Sequence, residues 1–408
     1  MENIYCSIIT IGDELLIGQT IDTNSAWIAQ QLNPIGVQVK RRVAVGDNKE
    51  DIINALNEEQ KHSKIILLTG GLGPTNDDLT KPILCDYFES TLVMNEAVLK
   101  HVTSFFERRK RPMLAINNNQ ALVPNNCVVL FNEVGTAPGL LFEKDDKLII
   151  ALPGVPFEMQ YLVSTRVLSI ISKKYITPNF IHRTLITAGE GESFVANRLI
   201  EFEKTLPQNI KLAYLPKLGL LKLRLTGTET SAAEIDEYFN TLKSILANIF
   251  VADQDIELEA QIGILLNEKN KTLSVAESCT GGHIAAKITS IKGSSLYFKG
   301  GIVPYSIESK ENMLGVNTHT IETTTVVSEA TALEMAQNCL QKFNTDYALS
   351  ITGYLEKNDH ENQVWIAFAN KSTCIAKMIT VPYDREKNTV LTVNSALNLL
   401  RLFIIENP

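Results

Sequence analysis

Residues 67–80 read Leu-Leu-Thr-Gly-Gly-Leu-Gly-Pro-Thr-Asn-Asp-Asp-Leu-Thr, and this stretch decides the fold. It continues the apolar run 64–68, which predicts a buried parallel strand. Gly70, Gly71 and Gly73 permit a sharp turn and a close approach of the backbone to a ligand. A glycine turn that leads from a strand into a helix is where open α/β sheets bind anions. The pattern fits a plain turn capped by Asp equally well, and it matches neither GxGxxG nor GxxxxGK[ST].

Strands and helices alternate around this stretch. Strands are predicted at Tyr5–Ile11 and 36–43, and helices at 26–32 and 49–61. This alternation predicts a parallel sheet with helices on both faces, whose loops meet at one edge. Acidic residues lie in three of those loops, as Asp13 and Glu14, Asp47, and Asp77 and Asp78. Carboxylates gathered at one edge suit a hard cation that holds a phosphate-bearing ligand.

Composition limits the classes of function. The 408 residues exceed a single core, and 45% hydrophobic with 21% charged residues are typical of a globular protein. A net charge of −8 argues against a nucleic-acid partner. The six cysteines are scattered without a CxxC pair, which predicts neither zinc nor disulfides and indicates a reducing compartment. No signal-type segment or apolar run of membrane-spanning length is recognised, so we expect a cytoplasmic protein without a membrane partner.

The pattern changes twice along the chain, and we predict domains at 1–170, 171–254 and 255–408. The middle segment predicts a small β-α-β-β-α module that ends in one long helix, Ala232–Phe250, and it shows no recognisable site. Two turns of the first domain, 135–139 and 153–156, are either plain connections or further loops of the same edge.

The third domain contains a second candidate site. The predicted strand 272–276 leads through residues 277–282, Glu-Ser-Cys-Thr-Gly-Gly, into a helix. Small hydroxyls and backbone amides at a helix N-terminus can present a Ser nucleophile and stabilise an oxyanion, although Ser and Thr are also the commonest N-caps. Tyr305 and Lys310 are candidate bases if their pKa values are lowered. Cys279 is the less favoured nucleophile because no His accompanies it.

Together these stretches resemble the CinA family over nearly the whole chain, and the first domain is similar to the molybdopterin-binding MoaB/MogA-like domain. The matching motifs are 12–18, 22–24, 45–47, 69–80, 135–139 and 152–159 in the first domain and 276–282, 293–295 and 305–306 in the third. The resemblance implies a three-layer parallel-sheet α/β first domain, a small α+β middle module and an α/β third domain. It also implies an ADP-ribose pyrophosphatase in the first domain, a nicotinamide mononucleotide (NMN) amidase in the third, and a homodimer.

The resemblance further implies roles for individual residues. In the first domain, Asp78 and Asp77 would be catalytic, and Asp47 and Asp78 would hold a divalent metal, Mg²⁺ or a similar ion, with K⁺ as a second cation. Ser278, Thr280, Tyr305 and Lys310 would be catalytic in the third domain. The positions that would bind substrate are Gly12, Glu14, Asp22, Asn24, Gly70, Gly71, Gly73, Thr75, Pro138, Gly139, Pro153, Gly154, Glu158, Gly281 and Gly282.

The third domain departs from the family pattern at three places. Ile307 replaces an Asn, the segment 354–364 is shorter and lacks the family's glycines, and Thr389 replaces an Arg. Loss of backbone donors and of a guanidinium weakens phosphate binding. We therefore expect retained ADP-ribose cleavage and a weakened NMN amidase. The alternatives are a fully bifunctional enzyme and a non-catalytic pterin- or nucleotide-binding protein.

Overall fold

The computed structural model describes residues 3–75, 78–177, 180–356 and 362–408. The chain divides into two compact units. The first unit contains residues 1–181 and 228–230, and the second contains 182–227 and 231–408. Each unit is described by itself.

The first unit is built on a six-stranded sheet. Its eight strands, two of them in a separate small ribbon, are β1 (Tyr5–Ile11), β2 (Gln38–Val45), β3 (Ile65–Thr69), β4 (Leu92–Met94), β5 (Leu122–Pro124), β6 (Val128–Leu130), β7 (Gly139–Lys144) and β8 (Lys147–Leu152). Its helices are α1 (Asp13–Leu16), α2 (Thr23–Leu32), α3 (Lys49–His62), α4 (Thr80–Tyr87), α5 (Glu96–Arg108), α6 (Pro156–Leu162) and α7 (Leu168–Lys174). The main sheet has the order β2-β1-β3-β8-β7-β6, and β4 pairs with β5.

Four neighbouring strands of this sheet are parallel, so their carboxyl ends share one edge. Ile11 lies opposite Val45, Thr10 opposite Thr69, and Thr69 opposite Leu152. The loops after β1, β2, β3 and β8 therefore begin side by side, and we call this edge the loop rim. The strands β7 and β6 continue the sheet in antiparallel pairing, which the sequence analysis does not predict.

Strand β3 explains the three layers. All five of its residues are buried, and their side chains alternate between two cores. Ile65 and Leu67 belong to the core that also contains Ile28 of α2. Ile66 and Leu68 belong to the core that contains Ile52 of α3. A strand that is apolar at every position is thus covered by helices on both faces, as the sequence predicts.

The second unit contains two sheets. Its elements in chain order are β9 (Phe180–Ala188), α8 (Glu192–Thr205), β10 (Ile210–Lys217), β11 (Leu220–Thr228), α9 (Ala232–Ile245), β12 (Phe250–Ala252), α10 (Leu258–Glu268), β13 (Leu273–Glu277), α11 (His283–Ser290), β14 (Phe298–Ile302), α12 (Ile307–Leu314), α13 (Thr318–Thr324), α14 (Glu329–Phe343), β15 (Tyr347–Gly353), β16 (Gln363–Asn370), β17 (Cys374–Thr380) and α15 (Arg385–Glu406). The sheet orders are β10-β11-β9-β12 and β14-β13-β15-β16-β17.

One prediction about these elements is wrong. The predicted helix Ala232–Phe250 ends at Ile245, and Phe250–Ala252 is a strand that pairs antiparallel with β9. Helix α15 has the length and composition of a membrane span, although no such run was recognised in the sequence. However, 61% of its apolar window is buried inside the protein, and Phe403 stacks on Phe368 with ring centroids 5.7 Å apart. Its apolar surface is therefore used as the core helix of a globular domain.

Candidate active sites

The site of the second unit begins where β13 ends. Ser278 follows the strand, and its backbone N–H donates to the carbonyl oxygen of Ile351 at 2.9 Å, which keeps it in register with β15. Gly281 and Gly282 then adopt φ values of +60° and +93°, so the chain reverses into α11 within a few residues. Glycine accepts this left-handed backbone without a Cβ penalty. The local sequence thereby holds Ser278 at the carboxyl end of a central strand.

Lys310 meets Ser278 inside the protein. Its Nζ lies 2.9 Å from Ser278 Oγ and 2.8 Å from the carbonyl oxygen of Pro304, with the carbonyl of Tyr305 at 3.4 Å. Lys310 is 1% exposed, and burial lowers the pKa of its ammonium group. Helix α12, which carries Lys310, is fixed at its start by a capping box between Ser306 and Ser309.

This geometry suits a serine nucleophile with a neutral lysine base. A neutral amine has two N–H donors and one lone pair, and the carbonyl oxygens of Pro304 and Tyr305 accept the donors. As an ammonium group Lys310 also donates to Ser278 Oγ. Once it has lost a proton, its lone pair is directed at Ser278, whose hydroxyl proton it can accept. Cys279, the less favoured nucleophile, has its pKa raised to about 12 by burial and is therefore held as a thiol.

Glu277 anchors the turn that carries Ser278. Its buried carboxylate accepts hydrogen bonds from Thr280 Oγ1 at 2.8 Å and from the backbone N–H groups of Ile284 and Ala285 at 2.9 and 2.8 Å. A carboxylate at a helix N-terminus is stabilised by these amides and by the helix dipole. Thr280 therefore points its hydroxyl at Glu277 and does not line the cavity beside Ser278. These contacts show Thr280 supporting the turn, and the catalytic role that the resemblance implies stays a prediction.

A cavity of about 250 Å³ opens beside Ser278 and Lys310. Tyr305 and Arg385 lie in its wall, and Arg385 Nη2 donates to the Tyr305 hydroxyl at 3.2 Å. The other side of Arg385 lies 3.6 Å from Glu356. Of the altered segment 354–364, residues Tyr354–Glu356 line this cavity, and 357–361 lie outside the described residues. The exposed guanidinium of Arg385 therefore lines the same cavity as Ser278 and Lys310.

We expect Glu277→Gln to destabilise the second unit by about 2 kcal/mol or more, because charge-assisted hydrogen bonds become neutral or are lost in a buried site. Thr280→Val removes only one neutral donor and should cost about 1 kcal/mol. The chain has two tryptophans, Trp27 in the first unit and Trp365 in the second. Denaturant unfolding in a Trp27→Phe background would report Trp365 alone, and equal stability of Glu277→Gln and wild type would contradict the anchoring role.

On the loop rim of the first unit, Asp13 and Asp47 hold two loops together. The N–H of Asp13 donates to Asp47 Oδ2 at 3.0 Å, and the N–H of Asp47 donates to Asp13 Oδ1 at 3.2 Å. A Cβ added to Gly46 would lie 2.7 Å from Asp13 Oδ1, and one added to Gly12 would lie 2.5 Å from Glu14. Gly12, Glu14 and Asp47 therefore share this part of the rim, as predicted, and Asp13 is the direct partner of Asp47.

Asp78 organises the glycine loop. Its Oδ1 accepts from the N–H of Gly73 at 2.7 Å, and its Oδ2 accepts from the N–H of Thr75 at 2.9 Å and from the Thr75 hydroxyl. The backbone of Gly71 accepts from Thr80 N–H at 3.1 Å, which closes the loop onto α4. The Asp78 carboxylate thus stabilises the loop by accepting hydrogen bonds from its backbone. Asp77, the other predicted catalytic carboxylate, lies outside the described residues.

The loop after β8 joins the same rim through Asn24. Its Nδ2 donates to the carbonyl of Gly154 at 2.8 Å and to Thr69 Oγ1 at 3.1 Å, and Thr69 donates in turn to the carbonyl of Pro153 at 2.9 Å. The Asn24 Oδ1 atom is buried and has no hydrogen-bond partner among the described residues. Asp22, in contrast, is the N-cap of α2 and accepts from Ser25 N–H at 2.9 Å, so the structure gives this predicted substrate-binding residue a capping role.

Glu158 lies against the loop 132–138. Asn132 Nδ2 donates to Glu158 Oε2 at 2.6 Å, and burial raises the pKa of the Glu158 carboxyl. A Cβ at Gly135 would lie 2.0 Å from this carboxyl, so a side chain there would displace Glu158 from its present position. Pro138 precedes β7, and Gly139 packs against the core at the start of that strand, beside Leu130. Gly139 is therefore a packing residue at the start of β7, and its predicted contact with substrate stays a prediction.

Lys81 is a site residue that the sequence analysis missed. It is 6% exposed, and its Nζ donates to the carbonyls of Asn119 at 2.9 Å and Gln120 at 3.4 Å. Burial lowers the pKa of Lys81 to about 8, and the nearby Asp78 carboxylate acts in the opposite direction. Its position on the first turn of α4 resembles an ordinary helix lysine, so only the three-dimensional contacts reveal it.

The rim does not form a protein-only metal cage in the part of the chain that the structure describes. No group of three His, Cys, Asp or Glu side chains within those residues could hold an ion. Both oxygens of Asp78 already accept hydrogen bonds from the loop. Mg²⁺, however, is usually held by one or two carboxylates together with substrate phosphates. Asp13 and Asp47 fit that shared mode of binding.

We expect Gly70→Ala to destabilise the first unit by about 3 kcal/mol or more, because overpacking adds to backbone strain. Gly70 has φ +120°, and an added Cβ would lie 2.3 Å from the carbonyl oxygen of Ile11. Gly18→Ala is the matched control, since Gly18 has φ +73° but no atom within 4 Å of its Cβ position. Unfolding followed through Trp27 in a Trp365→Phe background would separate the two, and similar losses would argue against close packing at Gly70.

The fold and these two sites define an α/β protein with a molybdopterin-binding-type first domain and a serine–lysine site in its last domain. Family models match residues 7–173 (probable molybdopterin binding domain), 182–252 (damage-inducible protein CinA KH domain) and 255–404 (CinA C-terminal domain).

Comparison with known proteins identifies the family. A CinA-like protein of Flavobacterium psychrophilum is 43% identical, covering 98% of this chain and 99% of the relative. A putative competence-damage inducible protein of Halothermothrix orenii is 37% identical, covering 97% and 98%. A solved structure of the protein CinA with unknown function from Thermoplasma acidophilum is 34% identical and covers 42% of this chain and all of that one, with a TM-score of 0.38. The chain belongs to the CinA family, and the resemblance drawn from its motifs is confirmed.

Proposed function

We propose that the last domain is an amidase that releases ammonia from NMN, with Ser278 as nucleophile and Lys310 as general base. The observation that carries this proposal is the 2.9 Å contact between Lys310 Nζ and Ser278 Oγ in a buried, carbonyl-lined position. The choice of NMN follows from the family resemblance. It agrees with the Arg385 guanidinium in the cavity wall, which can attract a nucleotide phosphate.

The reaction follows from the positions of these groups. Ser278 Oγ attacks the carboxamide carbon while its proton passes to Lys310 Nζ. The resulting ammonium gives this proton to the departing nitrogen, which leaves as ammonia, and an ester to Ser278 remains. Water then attacks the ester carbon, Lys310 accepts its proton, and the carboxylic acid is released as the proton returns to Ser278. The net change is amide plus water to acid plus ammonia.

The test is direct. Purified full-length protein is incubated with NMN, ammonia is measured with a coupled assay, and the nucleotide product is identified by chromatography. We expect stoichiometric ammonia and the deamidated nucleotide. If NMN stays intact after prolonged incubation at protein concentrations comparable to the substrate, the amidase proposal is refuted. The third domain would then have the weakened amidase that the sequence predicts.

A second activity, cleavage of the ADP-ribose diphosphate, is proposed for the first unit. It is favoured by the loop rim, where glycine backbone, Asp78 and the buried Lys81 lie around one loop. A divalent metal held by Asp13 and Asp47 with the diphosphate would supply charge neutralisation. Gly71 and Gly73, which lack side chains, would let the phosphates come close to the backbone of the loop, and the positive charge of Lys81 would favour their binding. Asp78 would keep that loop in its binding conformation.

The second activity has its own test. The same protein is incubated with ADP-ribose after treatment with chelator, and then with Mg²⁺, with K⁺, or with both ions. AMP and ribose 5-phosphate are the expected products, formed faster with metal. Saturable binding of ADP-ribose without any cleavage under these conditions would instead favour the non-catalytic nucleotide-binding protein.

A further inference from the structure

A second cavity in the second unit is separate from the one beside Ser278. It has a volume of about 410 Å³, which is large enough for a small organic ligand. One wall is the face of α15 that carries Leu391, Ser395 and Leu399. The opposite wall is formed by the loop 189–192 and the turn 216–219 of the middle module. No residue lines both cavities.

Polar contacts fix the position of one wall of this cavity relative to the other. Asn394 Nδ2 donates to the carbonyl of Leu218 at 2.8 Å, which ties the turn 216–219 to α15. At the side, Lys217 and Lys222 pair with Glu257 at 3.0 and 3.3 Å. The cavity is therefore a built feature of the unit rather than a gap between unconnected modules.

Asn398 presents unused hydrogen-bond donors to this cavity. It is 9% exposed, and its Oδ1 accepts from both Nε and Nη2 of the buried Arg401, at 3.2 and 3.1 Å. A guanidinium only donates, so this contact fixes which end of the amide faces Arg401. The Nδ2 group therefore points away from Arg401, and it has no acceptor among the residues described. Because Asn398 lines the cavity, a ligand or a water there can accept these hydrogens.

The other side chains that line the cavity indicate which class of ligand it can bind. Leu220, Leu391 and Leu399 provide aliphatic surface suited to a flat ring. Glu190, which is paired with Arg198 at 3.0 Å, and Glu192 also lie in the lining, and the Glu192 carboxylate repels a phosphate. Lys217, the one lysine of the lining, is already paired with Glu257. We propose that this cavity binds a neutral, planar heterocycle with a carbonyl or ring-nitrogen acceptor, which is the chemistry of a nucleobase or a pyridine carboxamide without phosphate.

The test uses adenosine and nicotinamide as probes, with AMP as the phosphorylated counterpart, in calorimetric titrations of the full-length chain. We expect at least one neutral probe to bind saturably and AMP to bind more weakly than adenosine. Asn398→Asp is the decisive variant, because it keeps an acceptor for Arg401 and removes both N–H donors. It should raise the dissociation constant at least about tenfold, the effect of one lost hydrogen bond to a buried donor.

Two further variants complete the experiment. Ser395→Leu narrows the cavity without touching Arg401 and should also weaken binding about tenfold. Asn407→Leu, on the C-cap of the same helix and outside the cavity, should leave binding unchanged. The proposal is overturned if neither neutral probe binds at millimolar concentration. It is equally overturned if Asn398→Asp and Ser395→Leu, both folded by thermal melting, bind as wild type does, since the probe would then lie elsewhere.

Discussion

Ser278→Ala is expected to reduce ammonia release from NMN by about ten-thousand-fold or more, because the nucleophile of a covalent mechanism has no substitute. The variant removes one oxygen from a 7% exposed side chain and leaves its backbone bond to Ile351 intact. Its fold should therefore survive, which thermal melting can verify. The measurement is the initial rate of ammonia release at saturating NMN.

Lys310→Met should lose activity to a similar extent, because the nucleophile cannot be activated without its base. Lys310→Arg is the sharper variant, because it keeps the positive charge but cannot become a neutral base. Cys279→Ala is the matched control beside the nucleophile and should keep most of the activity. A fully active Lys310→Arg protein would exclude Lys310 as the base, and loss of activity in Cys279→Ala alone would transfer the nucleophile to the thiol.

The pH profile gives an independent check on Lys310. Only its neutral form accepts the Ser278 proton, so the rate should rise with pH through the pKa of Lys310 and then reach a plateau. Burial lowers this pKa, so the plateau should begin below the ordinary lysine range. The unfolded chain binds this proton more tightly than the folded one, so the second unit should also lose stability as the pH falls. A flat profile would contradict the assignment.

Asp78→Asn should lower ADP-ribose cleavage by the first unit about a hundredfold or more. The Asp78 carboxylate accepts from Gly73, from the backbone of Thr75 and from its hydroxyl, and a neutral amide has only one accepting oxygen. Misplacement of catalytic backbone by about 1 Å is enough for such a loss. The measurement is AMP formation with Mg²⁺ present.

The control for Asp78→Asn is Asp86→Asn on α4. Asp86 is exposed and pairs with Lys49 at the surface, so the same chemical change should leave cleavage unaltered. Lys81→Met tests the buried ammonium beside the loop and should reduce cleavage while ammonia release by the other unit continues. Equal cleavage rates in Asp78→Asn and wild type would remove the glycine loop from the reaction.

The fold was predictable where hydrophobic pattern alone determines the structure. Strand β3, apolar at each position, and the glycine turn after it predict the buried parallel strand and the loop rim that the structure contains. Antiparallel strands β6 and β7 were not predicted, because Val128–Leu130 is a three-residue strand whose pairing depends on distant partners. The break of the predicted helix at Ile245 likewise depends on pairing with β9.

The sequence predicted which residue types form the candidate sites, but it did not predict which of their side chains are in contact. Ser278 and Lys310 are 32 positions apart, and only the packing of α12 brings their side chains to 2.9 Å. Thr280 is catalytic only by the resemblance, and in the structure its hydroxyl donates to the buried Glu277. Lys81 and Asn398 were missed because both are buried by contacts with residues distant in sequence or in the helix interior, and no local pattern encodes burial of a polar group.

Strand β2 forms an outer edge of the first sheet, and three successive exposed residues along it, Lys40, Arg41 and Arg42, are basic. An outer strand offers unpaired backbone groups to another strand, and charged side chains on such a strand disfavour pairing between two edges. Arg41 also pairs with Glu59 at 3.1 Å, and Arg42 pairs with Asp22 at 3.7 Å. Neutralising these three side chains should therefore increase self-association of the chain, which light scattering would detect.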